Sequence, residues 1–201
     1  MQNKNKFLSL IGAASISILF LGFSLKPKPV SNFSLLSTSG KQVELNQFAN
    51  GKGLIVVFTC NHCPFAKLYP ERLNALNKTY GSKGVPLIAI SSTDSLLYEE
   101  DGFIQMIEKA KAEQFNFDYL TDASQKVAKQ FNAQKTPHAF VLWRENNEWI
   151  IKYSGAIDDN GSEPEKVENS YVKNAVEELL AGKEVSEKET KSIGCQIYFR
   201  N

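Results

Sequence analysis

The chain has 201 residues, enough for one compact domain with extensions, and its 42 % hydrophobic and 22 % charged residues exclude a disordered polymer. Twenty-three Lys and Arg against 22 Asp and Glu leave a formal net charge of +1. That balance argues against a nucleic-acid binder, which carries a basic excess.

Lys4 and Lys6 precede a stretch from Phe7 to Phe23 that is apolar or small throughout, and Lys26 and Lys28 close it. This is the pattern of a secretory signal. Gly22 and Ser24 supply small residues for cleavage after Ser24. The stretch also approaches the ~17–25 residues of a membrane span. Residues 1–24 therefore read as a signal peptide or as an anchor, with a membrane tether through residues 7–23 in the second case. Both readings put the remainder outside the cytoplasm, periplasmic or facing the periplasm, where disulfides persist. Residues 25–32, with two prolines and two lysines, read as a linker. Residues 33–185 read as the globular domain and 186–201 as a polar tail.

Short strands are expected at Phe33–Leu36 and Gln42–Leu45, around the turn Ser39-Gly40. The apolar run Leu54–Phe58 suits a strand buried on both faces. Phe65, Leu68, Tyr69, Leu73, Leu76 and Tyr80 recur at helical steps, with Pro70 expected to kink that helix. Val85–Ile90 is the next strand, and Phe103, Ile104, Ile107 and Ala110 form a second amphipathic helix. Tyr119-Leu120 marks a strand and Val127, Ala128 and Phe131 a short helix. Thr136-Pro137 leads into the strand His138–Trp143, which Asn146-Asn147 turns back into Trp149–Ser154. A last helix spans about Tyr171–Ala181, with Val172, Ala175, Val176 and Leu179 inward and Gly182 ending it. Alternating units followed by a hairpin and a helix imply an α/β fold with a mixed central sheet flanked by helices. A thioredoxin-like fold with an N-terminal strand extension and a C-terminal tail fits this order.

Cys60 and Cys63 are separated by Asn61-His62 and stand where a buried strand gives way to a helix. A helix start stabilises a thiolate at Cys60 through unpaired N–H groups and the helix dipole. His62, as a cation, would add to this. A stabilised thiolate favours the reduced form and makes the disulfide a better oxidant. Such a Cys60 thiolate attacks a partner disulfide, and Cys63 resolves the mixed disulfide. A C-x-x-C pair is also half of a zinc site, but four-coordinate zinc needs two more ligands. The remaining candidates are Cys195, His62 and His138. His138 reads as a proton carrier beside the sulfurs or as a satisfied strand-start histidine. Cys195, the odd third thiol, reads as an inert tail cysteine, an intermolecular partner or an extra resolving thiol. Asp158-Asp159-Asn160 lacks the alternating ligands of a calcium loop and reads as a turn with local hydrogen bonds.

Phe58-Thr59-Cys60-Asn61-His62-Cys63-Pro64-Phe65-Ala66-Lys67 resembles the signature of the peroxiredoxin-like branch of the thioredoxin superfamily, the redoxin or alkyl hydroperoxide reductase/thiol-specific antioxidant group. Lys135-Thr136-Pro137-His138, Gly155–Asn160 and the tail from Glu189 to Ile197 match as well. The resemblance implies a thioredoxin fold, an active C-x-x-C, a cis proline at Pro137 that shapes the partner groove, and a third cysteine in the tail, Cys195. The sequence departs from the peroxiredoxin pattern P-x-x-x-T/S-x-x-C, and none of Arg72, Arg144 and Arg200 matches the arginine that assists peroxide cleavage. Leu54 occupies the place of thioredoxin's buried acidic relay. The leading expectation is a thiol–disulfide oxidoreductase acting on a disulfide- or dithiol-bearing protein or small molecule. Cys60 is then the nucleophile, Cys63 the resolving thiol, His62 the tuning group and Pro137 the groove residue. No cofactor and no metal is expected. A peroxidase taking hydroperoxides is the second reading, and a non-enzymatic carrier of copper(I) or zinc the third.

Overall fold

The computed structural model describes residues 29–200. The signal-or-anchor segment and the start of the linker lie outside the described residues. Among the described residues, no helix is long and apolar enough to cross a membrane.

Among the described residues, nine strands and four α-helices form in chain order: β1 (Ser34–Ser37), β2 (Gln42–Glu44), β3 (Gly53–Phe58), α1 (Pro70–Tyr80), β4 (Leu87–Ser91), α2 (Phe103–Ala112), β5 (Asp118–Thr121), α3 (Lys126–Phe131), β6 (Lys135–Thr136), β7 (His138–Glu145), β8 (Glu148–Gly155), α4 (Tyr171–Leu180) and β9 (Cys195–Gln196). Seven strands make one sheet in the order β2-β1-β5-β4-β3-β7-β8, and β6 and β9 pair separately. β3, β4 and β5 run parallel, and β7 joins β3 antiparallel. The turn from β7 to β8 places Asn146 and Asn147 at φ 50° and 65°, the two positive dihedrals of a two-residue hairpin turn.

Side chains of β3 alternate between two cores because strand residues point to opposite faces in turn. Leu54, Val56 and Phe58 pack with Ile88, Ile90, Leu120, Phe131 and Phe140. Ile55 and Val57 pack with Leu73, Tyr80, Val141, Tyr153 and the inward face of α4. Every residue of β3 is buried, as the apolar run required. Burying each such side chain stabilises the fold by about 1.5–3 kcal/mol. The central strand is thereby held rigid, and the loop leaving its carboxyl end is fixed at its root.

Three expectations are corrected. Pro70 does not kink a helix from Phe65. It occupies the first turn of α1, where its missing N–H costs nothing and its φ is already helical. Phe65 and Leu68 belong to the irregular segment before it and are exposed. In α2 the inward residue is Met106, flanked by half-buried Phe103 and Ala110, while Ile104 and Ile107 face solvent. Apolar spacing placed Phe103 and Ala110 correctly and put Ile104 and Ile107 on the wrong side, because the helix is pinned by Met106 against Ala89 and Tyr119. The segment read as linker contributes a packed residue: Val30 is buried and donates its N–H to Trp149 O at 2.8 Å.

The last fifteen described residues also differ from a loose tail. Thr190 N–H bonds Ser154 O at 3.0 Å, and Thr190 Oγ1 meets the Tyr153 hydroxyl at 2.5 Å. Beyond the site, Ile197 is buried and its N–H bonds Gln134 O at 2.9 Å. Gln125 grips Tyr198 O and the Arg200 N–H, both at 2.8 Å, and Arg200 pairs with Asp94. Residues 191–196 form a strap between these two anchors.

Candidate active site

Cys60 follows β3 by two residues, at the carboxyl end of the central strand, where α/β sheets place their reactive groups. No helix opens beneath it. Residues 59–65 are irregular, a 3-10 turn begins at Ala66, and α1 begins only at Pro70. The expectation of a helix dipole at Cys60 is therefore corrected, and the groups acting on the sulfurs come from elsewhere.

They come from Thr136 and the strap. Cys60 Sγ lies 3.1 Å from Thr136 Oγ1, and Cys63 Sγ lies 3.1 Å from Thr136 O. The peptide bond from Thr136 to Pro137 is cis. The Cys195 N–H donates to Cys63 Sγ at 3.4 Å, because β9 pairs antiparallel with β6 and sets Cys195 opposite Thr136. Gly194 makes this approach possible, since a Cβ there would overlap the Thr136 carbonyl. All three cysteines are free thiols in one cluster. Cys60 and Cys63 are both 0 % exposed, and only Cys195 is reached by solvent.

The two buried sulfurs share a proton unequally. The hydrogen bond from the Cys60 thiol lowers Cys63, and N–H groups of Ala66 and Cys195 add to this against the opposing cost of burial, bringing Cys63 to about 4. The Thr136 carbonyl favours the thiol form of Cys63, but it is one acceptor against several donors. Cys60 is pushed far up by its bond to Cys63, by burial and by the negative charge of Asp101, with the Thr136 hydroxyl acting the other way. The two sulfurs thus titrate as one coupled pair, in which Cys63 is drawn down and Cys60 pushed up. Cys195, beside Cys63 and partly buried, is raised to about 11.

Asp101 is the functional residue that sequence reasoning missed. Its side chain is fully buried and accepts the Asn61 N–H and His62 Nδ1, each at 2.5 Å. The His62 ring stacks on Tyr98 at 3.8 Å, and the Asn61 amide bonds Glu100 O and the Tyr119 hydroxyl at 2.7 and 3.0 Å. The whole Asn61-His62 bridge is thus clamped onto the segment 98–101 and β5. Nothing local in Glu99-Glu100-Asp101 signals this, because the contact spans 40 residues. Asp101→Asn keeps an acceptor for the loop and removes the charge near Cys60. The expected result is a Cys60–Cys63 couple more oxidising by about 30 mV, the equivalent of roughly one pKa unit. An unchanged potential against glutathione buffers would take Asp101 out of the electrostatics.

His138 does not meet the sulfurs. Its Nε2 pairs with Ser154 Oγ at 3.1 Å and its Nδ1 accepts the Gln134 N–H at 3.3 Å. Burial lowers it to about 4, so it stays neutral. The arginines are also engaged elsewhere: Arg72 with Asp158 at 2.7 Å, Arg144 over Trp149 and Arg200 with Asp94. Asp158 holds Arg72 and the Tyr69 hydroxyl, a structural turn at the head of α1. Donor atoms of Cys60, His62 and Asp101 lie within 4.8 Å of one another and are, among the described residues, the group that could hold a metal ion. Their present arrangement is a hydrogen-bonded one, since both Asp101 oxygens and His62 Nδ1 already have partners.

A sequence profile described as AhpC/TSA family matches residues 27–160. No curated protein matches the chain. Among solved structures, a hypothetical protein from Sinorhizobium meliloti 1021 is 31 % identical, with 87 % of this chain and 94 % of that one covered at a TM-score of 0.79. An uncharacterized conserved protein from Geobacillus kaustophilus is 32 % identical, with coverages of 87 % and 92 % and a TM-score of 0.79. The exposed lipoprotein thioredoxin Etrx1 from Streptococcus pneumoniae strain TIGR4 shares the fold at 15 % identity, with coverages of 76 % and 99 % and a TM-score of 0.57.

Proposed function

The chain belongs to the AhpC/TSA family, and from that premise we propose that it is a thiol–disulfide oxidoreductase whose redox centre is the pair Cys60 and Cys63. One observation carries the reading: two buried, free cysteine sulfurs lie in one cluster, both held against Thr136, with the third cysteine packed beside them. That is the reduced half of a disulfide couple, already assembled. Its substrates are disulfides or dithiols, on a protein or a small molecule. The stabilised thiolate at Cys63 favours the reduced form, so the disulfide acts as an oxidant toward partner dithiols. Pro137 borders the site and lines a cavity of about 240 Å³ with Phe65, Leu68 and Ile193, a groove for the partner. His62 is held by Asp101 and steadies the bridge between the sulfurs. The apolar segment 7–23 supports an exported, disulfide-permissive location for the domain.

The family name equally suggests hydroperoxide as an electron acceptor. The engagement of all three arginines away from the cysteines weighs against it, since the charge that polarises a peroxide bond is missing from the site. Equilibrating the full chain in glutathione redox buffers, followed by peptide mapping, tests the proposal. A Cys60–Cys63 disulfide that forms and is lost reversibly is expected, with dithiol oxidation outpacing peroxide consumption. A pair that stays reduced throughout, or one that cycles only with peroxide, would overturn it.

A further inference from the structure

The chemistry of a buried pair raises a question of access. A partner thiol must reach a sulfur in line with the bond it breaks, yet Cys60 and Cys63 are both 0 % exposed. What covers them includes the strap, residues 191–196. It is anchored on one side by Thr190 against Tyr153 and Ser154, and on the other by Ile197 and Arg200. Its middle carries the third cysteine of the cluster, the one cysteine that solvent reaches.

From this juxtaposition we infer that Cys195 is the thiol through which partners exchange with the buried pair, and that Cys63 is a pivot able to bond either Cys60 or Cys195. The inference rests on the oxidoreductase reading above and assigns its order of events. Four features support it. Cys63 is the member of the pair that the strap touches, through the Cys195 N–H at 3.4 Å. β9 pairs with β6 so that Cys195 faces Thr136, whose hydroxyl and carbonyl contact the two buried sulfurs. Gly194, the residue before Cys195, is the one type that lets the strap lie against Thr136. Ile193 and Pro137 border the same cavity, so a partner seated there arrives beside the strap.

The steps balance as follows, starting from the Cys60–Cys63 disulfide. The Cys195 thiol loses its proton and its sulfur attacks Cys63. A Cys63–Cys195 bond forms, and Cys60 departs and is protonated. A partner dithiol then attacks with one thiolate at the Cys195 sulfur, and Cys63 leaves as a thiolate. The departing Cys63 sulfur is received by the Cys195 N–H, which lies 3.4 Å from it. The second thiol of the partner attacks its own bridged sulfur, closes the partner's disulfide and releases Cys195. Two electrons have passed from the partner dithiol to the Cys60–Cys63 pair, and the reverse sequence reduces a disulfide.

Two measurements on the full chain test this. In the first, Cys60→Ser leaves Cys63 and Cys195 as the only thiols. Oxidation is expected to join them, and glutathione is then expected to form its mixed disulfide on Cys195, as mapped by mass spectrometry. Failure of that bond to form, or glutathione found on Cys63, overturns the relay. In the second, glutathione-driven reduction of the Cys60–Cys63 disulfide is timed in the wild type and in Cys195→Ser. Loss of the relay is expected to slow it by at least about tenfold while leaving the disulfide able to form. Because the serine could disturb the strap, the wild type is also quenched early. A transient Cys63–Cys195 peptide that precedes reduced Cys60 is expected, and its absence overturns the inference. Equal rates in both proteins sink the relay but leave the oxidoreductase reading intact. A wild-type pair that never forms a disulfide sinks both.

Discussion

Cys63→Ser is expected to lower dithiol oxidation by at least about a thousandfold, the scale on which removal of a reacting nucleophile is felt. The expectation follows from where Cys63 sits. It packs with Cys60 in one cluster, accepts the Cys195 N–H, and is drawn down to about 4 within the coupled pair. Without it, neither of the two bonds that the site can make remains. A serine of similar size preserves packing, so the change in turnover reads chemistry and not collapse. Circular dichroism of the variant checks that point. The result is informative in one further respect. In an ordinary C-x-x-C reading the first cysteine is the ionised attacker, and the second is needed only to finish the reaction. A stopped-flow pH profile of thiolate absorbance separates the two. The wild type is expected to retain a thiolate down to pH about 4, the value to which the donors bring Cys63. That signal is expected to vanish in Cys63→Ser. A thiolate that persists in this variant down to the same pH would place the anion on another sulfur, and turnover within about tenfold of the wild type would remove Cys63 from the mechanism.

The fold was legible because its dominant signals are local. The run Leu54–Phe58 could only be a strand covered on both faces, and Asn146-Asn147 could only be a tight reversal. The α4 face Val172, Ala175, Val176 and Leu179 was read correctly because a period of 3.6 is visible within ten residues. The stripe on α2 was misread because Ile104 and Ile107 have the right spacing and the wrong neighbours. What they face is decided by the sheet, which the helix's own residues do not encode. In the site, Cys60, His62, Cys63, Pro137 and Cys195 were named from motif and resemblance, and the structure brings Cys195 against the pair. Their charges were not legible. The helix start expected to stabilise Cys60 begins ten residues later. The groups that set the charge instead, Thr136, Ala66, Asp101 and the Cys195 N–H, come from four separate segments of chain. Only a three-dimensional arrangement reveals such a set, because hydrogen bonds to sulfur leave no periodicity in sequence.

Acid is expected to destabilise the protein through His138, by about 3 kcal/mol between pH 6.5 and pH 4. His138 is 7 % exposed, and burial alone takes it from its ordinary value of 6.5 to about 4. Its contacts are the Ser154 hydroxyl, the Gln134 N–H and the Phe140 ring at 4.4 Å, none of them charged. Nδ1 accepts from an N–H, and that site is lost on protonation. The direction follows from proton counting. Between pH 6.5 and pH 4 the unfolded chain holds the proton and the folded chain does not, so each unit of acid favours unfolding. Above pH 6.5 both states are neutral and the contribution is fully present. Below about pH 4 both are charged and it has been lost. Asp94, Glu178 and Glu184, which are held low by Arg200, by Ser186 and by Lys188 respectively, also surrender stability in acid. Those contributions are common to the wild type and to a His138→Gln variant, in which the amide can serve the Ser154 hydroxyl without titrating. Urea denaturation of both proteins across this range therefore isolates the imidazole. The gap between them is expected to narrow or reverse in acid by about 3 kcal/mol. Parallel curves from pH 7 to pH 4 would mean that the ring titrates as freely as in the unfolded chain, and that β7 does not bury it.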